Sequence, residues 1–252
     1  MKMTVEAWHQ HYTYQTLWTR SLGQYLFRRA GISQSSTVLE VGCGTGAVLN
    51  AMLQPLARKI VGLDINAQYL RFAANTLPNA SFILADAHNL PMASRSFDAA
   101  TCHFLLLWVK DPLAVLSEMA RTTRHKGFVF ALAEPDYGGR IDYPNELAIL
   151  GKLQADSLKR QGADPLMGRK LRALFYRCGL EQVETGVLSG EWSTKSNPAE
   201  FESEWTIIRS DMSWNNDMDE QLQKLHDADL RARELGERVL FVPTFWACGR
   251  VP

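Results

Sequence analysis

The segment Thr37-Val38-Leu39-Glu40-Val41-Gly42-Cys43-Gly44-Thr45-Gly46 restricts what this chain can fold into more than any other. An apolar, β-branched run enters closely spaced glycines, and Ala47 to Leu53 then reads as a helix that Pro55 closes. Strand, tight turn and helix in immediate succession predict a βαβ unit, because antiparallel hairpins need only short turns. The rhythm recurs. Strand Ile60 to Leu63 is followed by helix Ala67 to Leu77, closed by Pro78, and then by strand Ser81 to Ala85. Strand Phe97 to Phe104, helix Leu113 to Arg124 and strand Gly127 to Ala133 continue it. The expected fold is α/β: a doubly wound, mostly parallel seven-stranded sheet with helices on both faces and a helical cap.

The flanks are less regular. Leu17, Leu22, Leu26 and Phe27 recur at roughly helical spacing, which predicts a leading helix over Thr16 to Ala30 with Gly31 as its stop. After Ala133 the pattern predicts a helical segment from Asp142 to Gln161, a helix from Leu166 to Arg177 and a strand from Leu180 to Leu188. A helical insertion from Asn197 to Gly236 follows, with Asn197 and Pro198 as cap and first turn and Glu200 at the capping-box position. A last strand, Val239 to Cys248, returns to the sheet. The division expected is one domain over 1–252: an N-terminal helical lid at 1–35, a ligand-binding core at 36–136, and cap segments at 137–165 and 194–236.

Composition narrows the partners. Lys plus Arg and Asp plus Glu both number 27, with no long run of either sign, so the chain lacks an electrostatic footprint for a phosphate backbone and no nucleic-acid partner is expected. Cys43, Cys102, Cys178 and Cys248 form no pair of metal-ligand spacing, so no metal is expected and a reducing compartment is. The longest apolar run, Phe104 to Val109, is too short for a bilayer, and Met1 to Gln15 has no apolar leader core. A cytoplasmic chain without a membrane partner is the expectation.

The glycine turn stands where an open α/β sheet has its ligand crevice, and glycines let backbone N–H groups approach an anionic ligand. Its spacing, G-x-G-x-G with Glu40 two residues ahead, fits a dinucleotide fingerprint poorly. Val38 to Gly46 instead resembles the first motif of class I S-adenosylmethionine-dependent methyltransferases, with similarity to the small-molecule enzymes of ubiquinone and menaquinone biosynthesis. The resemblance runs to about Asp136. It implies S-adenosylmethionine as cofactor, its methionine part cradled by Glu40, Gly42, Cys43 and Gly44. Asp64, ending the second strand, would bind ribose; Ile65 would line the adenine pocket; Asp86 and Ala87 would take the adenine amino edge. His103 falls in the segment that lines the space near the sulfonium. A helix before the first strand often closes over the cofactor in such proteins, which singles out Tyr14, Gln15, Trp18 and Thr19.

Glu134, Asp136 and Tyr137, with Arg140, form a polar cluster where the family's acceptor lies, and are the expected substrate-binding residues. Asp136, Glu134 and His103 are each available as a base, and the sequence does not choose among them. The implied function is methyl transfer to a small molecule. A methyltransferase acting on RNA or protein, or a cofactor-binding protein without turnover, are the alternatives. Phe201, Trp205, Ile208, Met212, Trp214 and Met218 would either bury against the core or line a substrate cavity.

Overall fold

The computed structural model describes residues 3–57, 59–188, 198–212 and 218–252. Its main sheet has seven strands: β1 (Thr37–Val41), β2 (Lys59–Asp64), β3 (Ser81–Leu84), β4 (Phe97–Cys102), β5 (Thr123–Pro135), β7 (Glu181–Leu188) and β9 (Thr244–Arg250). Their order is β3-β2-β1-β4-β5-β9-β7. The pairs from β3 to β5 are parallel, and β9 runs antiparallel to both β5 and β7. The chain therefore winds outward from β1 through β2 to β3, then restarts on the other side with β4. The carboxyl ends of β1 and β4 flank that reversal, where an open α/β sheet leaves a crevice.

Alternation along each strand feeds two cores. Leu39 and Val41 of β1, with Val129 and Ala131 of β5, pack under α3 (Pro112–Thr122) and α5 (Leu171–Arg177). Val38, Phe130 and Leu132 pack on the opposite face against α1 (Val5–Arg29) and the segment Leu49–Leu53. Burial on both faces is why these strands read as continuous apolar runs.

Several boundaries differ from the sequence reading. The leading helix starts at Val5, capped by Thr4 Oγ1 accepting from the Ala7 N–H at 3.2 Å, so α1 has 25 residues. The helix after the glycines opens into a π-helical turn at Leu49–Leu53, with the Gln54 N–H reaching the Leu49 carbonyl at 2.9 Å. The segment expected to be helical from Asp142 begins as strand β6 (Ile141–Tyr143), and α4 (Ala148–Arg160) starts only beyond Pro144. The expected last strand is two: β8 (Val239–Phe241) pairs with β6 in a separate two-stranded sheet, Pro243 interrupts the run, and β9 joins the main sheet.

The insertion holds two helices, α6 (Pro198–Met212) and α7 (Asp219–Glu234). Asn197 and Trp214 lie outside the described residues. Phe201, Trp205, Ile208, Met212 and Met218 bury with Leu222, Leu225 and with Leu147 and Leu150 beside α4, in a core of their own. Those apolar residues thus pack with one another and with α4. No helix among the described residues is long and apolar enough to cross a membrane.

A buried ionic network fastens this layer to the small sheet. Asp229 Oδ2 accepts from Trp205 Nε1 at 2.9 Å, and Oδ1 accepts from Arg238 Nε at 2.7 Å and Arg233 Nε at 3.2 Å. Arg238 Nη2 donates to Asp142 Oδ1 at 2.8 Å, and Arg140 Nε to Asp142 Oδ2 at 2.6 Å. Removing one member of such a set leaves charges buried without partners. Asp229→Ala is expected to cost roughly 3–5 kcal/mol, read as a lower urea midpoint; a change below about 1 kcal/mol would show the network to be dispensable.

Candidate active site

The glycine turn is held by a single carbonyl. Leu63 O, at the end of β2, accepts the N–H groups of Gly42 at 2.7 Å and Cys43 at 2.9 Å. Gly42 has φ +71°, and a Cβ there would come within 2.6 Å of Leu105 Cδ1, so only glycine fits. Gly44 also lies in the left-handed region, and its N–H donates to Asp64 Oδ2 at 2.8 Å. Asp64 Oδ1 accepts from the Asn66 N–H, also at 2.8 Å. Each carboxylate oxygen keeps a further lone pair for a hydroxyl.

Beneath the turn lie two unsatisfied oxygens. Glu40 on β1 and Thr101 on β4 are register partners, both buried, and Glu40 Oε2 and Thr101 Oγ1 have no hydrogen-bond partner. Desolvation, with the Asp64 charge adding to it, raises the Glu40 carboxyl well above the usual range, against the opposing pull of the Leu49 N–H. Buried oxygens at a switch point call for a donor from a ligand. The sequence reading named Glu40 and missed Thr101, because a threonine in a buried strand carries no signal of its own.

Just past the end of β2, Ile65 is 73% exposed and offers an open apolar surface. The Asp86 carboxylate is exposed and accepts from the His88 N–H at 2.9 Å and from His88 Nδ1 at 2.6 Å, which lowers its pKa. Ala87 and Cys43 do not face the crevice with their side chains: Ala87 packs beside Leu90 in one core and Cys43 beside Leu49 in the other. Only their backbones can serve a ligand.

Of the four expected lid residues, only Thr19 is wholly buried. The inner face of α1 carries His9, Tyr12, Thr16, Thr19 and Gly23, at helical spacing from the turn to the core. His9 Nδ1 lies 2.9 Å from Thr45 Oγ1, and the Tyr12 ring stands 3.5 Å from where a Gly44 Cβ would be, with Trp8 stacked on it at 5.5 Å. Tyr14, two positions from Tyr12, turns away and accepts from Gln10 Nε2 at 3.1 Å. Gln15 is half-buried, its carbonyl accepting from Thr19 Oγ1. Trp18 is 48% exposed and meets Phe104 edge-on at 6.0 Å. The signal that would have found Trp8, His9 and Tyr12 is the helical period itself, once α1 is extended to Val5.

At the end of β4 the chain turns through Phe104, whose φ is +49°. His103 Nε2 lies 3.0 Å from Thr19 Oγ1, and desolvation lowers the imidazole to about 3, so the ring is neutral. Glu134, expected to face the acceptor, does not. A bulge between Ala131 and Glu134 turns its carboxylate onto the backbone N–H groups of Leu105, Leu106 and Leu107 at 2.8–3.1 Å. Burial pushes it up to about 8 although those bonds oppose the shift. Asp136 is likewise occupied, by Arg169 Nη2 at 2.7 Å and the Gly138 N–H at 3.0 Å. Of the three, Tyr137 is only half-buried: desolvation raises its phenol, with Asp211 and Glu204 of α6 adding to the shift and Arg140 opposing it. Desolvation raises the Glu204 carboxyl, with Arg233 opposing the shift.

A family model described as a methyltransferase domain matches residues 39–131, which carry the turn, Asp64, Asp86 and His103. The demethylmenaquinone methyltransferase of Lysinibacillus sphaericus is 30% identical over 181 residues, covering 65% of this chain and 77% of that protein. The chain belongs to the class I S-adenosylmethionine-dependent methyltransferases. The demethylmenaquinone methyltransferase of Thermotoga maritima is 34% identical over 123 residues, covering 48% of this chain and 51% of its own, so the chain spans about half that relative's length. A structure of geranyl diphosphate methyltransferase in complex with S-adenosylmethionine superposes with a TM-score of 0.57 at 15% identity, covering 92% of this chain and 85% of that one; at this identity it shows the methyltransferase fold.

Neutral burial of His103 has a pH signature. With its folded pKa near 3 against an ordinary 6.5, the unfolded chain binds the proton first, so stability is lost as pH falls below 6.5. Between pH 7 and 5 the loss from this ring is about 2 kcal/mol. Glu40 and Glu134, raised instead of lowered, act in the opposite sense, so the check is the difference between wild type and His103→Asn in denaturant unfolding at both pH values. A difference that does not change with pH would show that the ring titrates normally.

Proposed function

We propose that this protein transfers the methyl group of S-adenosylmethionine to a small, largely apolar acceptor. The observation that carries the reading is the pair of unpartnered oxygens, Glu40 Oε2 and Thr101 Oγ1, beneath a glycine cradle at the switch point of the sheet. A cationic amine with three donors matches that want. Glu40 and Thr101 would hold the amino group, the backbone at Gly42, Cys43 and Gly44 the methionine end, Asp64 the ribose hydroxyls, Ile65 the purine face, and Asp86 with the Ala87 backbone the adenine edge. Tyr12 and Trp8 would close over the turn.

The bound sulfonium supplies a methyl group already activated toward a nucleophile. What remains for the protein is to hold the acceptor in line and keep water out. Tyr137, Phe104 and Trp18 would form the acceptor wall, an aromatic surface suited to a ring-bearing substrate. Demethylmenaquinone, for which the relatives are named, is a ring-bearing compound of that character. Glu134 and Asp136 would serve as struts of the loops after β4 and β5, since their oxygens are already engaged. In this reading 1–35 is the lid, 36–136 the cofactor core, and 137–165 with 194–236 the cap. The balanced charge and free cysteines support a cytoplasmic protein that does not bind nucleic acid.

Isothermal calorimetry with S-adenosylmethionine and its demethylated product is expected to show binding, and NAD none. Asp64→Ala is expected to weaken the product's binding at least about tenfold through lost charge-assisted contacts. Asp86→Ala should do less, because apolar packing shares the adenine. NAD binding without a response to the sulfonium compound, or unchanged affinity in a folded Asp64→Ala protein, would move the cofactor site elsewhere.

Tyr12→Ala is expected to raise hydrogen exchange in 5–20 of the product-bound protein while sparing 37–46. Equal protection of the lid in both proteins would remove Tyr12 from the closure.

A further inference from the structure

Thr19 is wholly buried on the inner face of α1, and its hydroxyl meets three groups. His103 Nε2 lies 3.0 Å away, the Gln15 carbonyl 3.2 Å and the Thr16 carbonyl 3.4 Å. A hydroxyl has one proton and two lone pairs, so its single donation decides what the imidazole must do. A helical threonine donates to the carbonyl one turn back as its default. If it does so here, the oxygen is left to accept, and His103 Nε2 must carry the ring proton. Both hydrogen bonds are then made. In the other tautomer the hydroxyl donates to Nε2 and the helix carbonyls lose it. That arrangement makes one bond within the protein in place of two.

Thr101 and His103 point to the same face of the sheet as Val38 and Glu40, the face that α1 covers, because alternate residues of a strand share a side. His103 is half-buried and directly follows β4, whose carboxyl end flanks the switch point of the sheet. We propose that Thr19 is a positioning residue that holds His103 as the Nε2–H tautomer, leaving the Nδ1 lone pair to accept a hydrogen bond from the nucleophilic O–H or N–H of the acceptor. The function of that lone pair rests on the methyltransferase reading above; the tautomer itself does not. A neutral ring is the form required, since it accepts a hydrogen bond beside a cationic donor without adding a second positive charge. The acceptor class that follows is a hydroxyl or N–H nucleophile; a thioether has no proton to offer.

The test is long-range proton–nitrogen NMR on the uniformly nitrogen-15-labelled full chain without ligand, with His103 assigned by the signal lost in His103→Asn. Wild type is expected to show an unprotonated Nδ1 and a protonated Nε2. Thr19→Ser, which keeps the hydroxyl, is expected to retain that pattern, and Thr19→Val to move both nitrogen signals toward the intermediate positions of a tautomer mixture. A protonated Nδ1 in wild type overturns the proposal, and so does a pattern that Thr19→Val leaves unchanged. If Thr19→Val fails to fold, the wild-type and Thr19→Ser spectra still decide. Calorimetry with the demethylated cofactor on the same samples separates the two readings: loss of cofactor binding in wild type defeats the methyltransferase assignment while leaving the tautomer measurement valid.

Discussion

The carbonyl oxygen of Leu63 is the hinge of the crevice. By accepting two successive N–H groups from the glycine turn, it ties the end of β2 to the exit of β1 and fixes where the backbone can meet a ligand. Asp64, the next residue, repeats the tie through its side chain at Gly44. These bonds exist only because β1 and β2 run parallel in register, Val41 opposite Leu63, and because Gly42 tolerates a left-handed conformation against Leu105. The order of strands and the shape of the binding turn are therefore one constraint.

Three buried acids around this hinge show how environment assigns roles to one chemical group. Glu134 satisfies three backbone donors and so fixes the loop that follows β4. Asp136 is neutralised by Arg169 and closes the turn after β5. Glu40 alone has an oxygen left over, next to Thr101, in the crevice itself. Burial with partners builds structure; burial without them leaves a desolvated polar atom uncompensated.

The cap is joined to the core by two different kinds of bond. Its own helices share an apolar core, and its tether to the small sheet is ionic, through Asp229, Arg238, Asp142 and Arg140. Directional bonds of this kind restrict how the layer can sit on the small sheet, since a buried charge tolerates few alternative pairings. Glu204 and Asp211, carried on α6, come near Tyr137 by this route.

The strand–turn–helix rhythm, the glycine turn, and the acids Glu40, Asp64 and Asp86 at strand ends were legible in the chain because periodicity and turn chemistry are local. The doubly wound sheet follows from them. Local pattern also named Glu134 and Asp136 as acceptor residues, whose carboxylates are buried and bonded within the protein. A bulge of one residue redirects Glu134, and an arginine 33 positions away claims Asp136, neither of which spacing records. The leading helix shows the same limit: the sequence named Tyr14, Gln15, Trp18 and Thr19, and of these Thr19 reaches His103, whereas the residues of α1 that meet Thr45 and Gly44 are His9 and Tyr12. The sequence determined which backbone could cradle a ligand, since that depends on residues adjacent in the chain. Only the tertiary structure decided which side chains stay free to serve it, because a polar group's availability depends on every partner that folding brings within hydrogen-bonding reach.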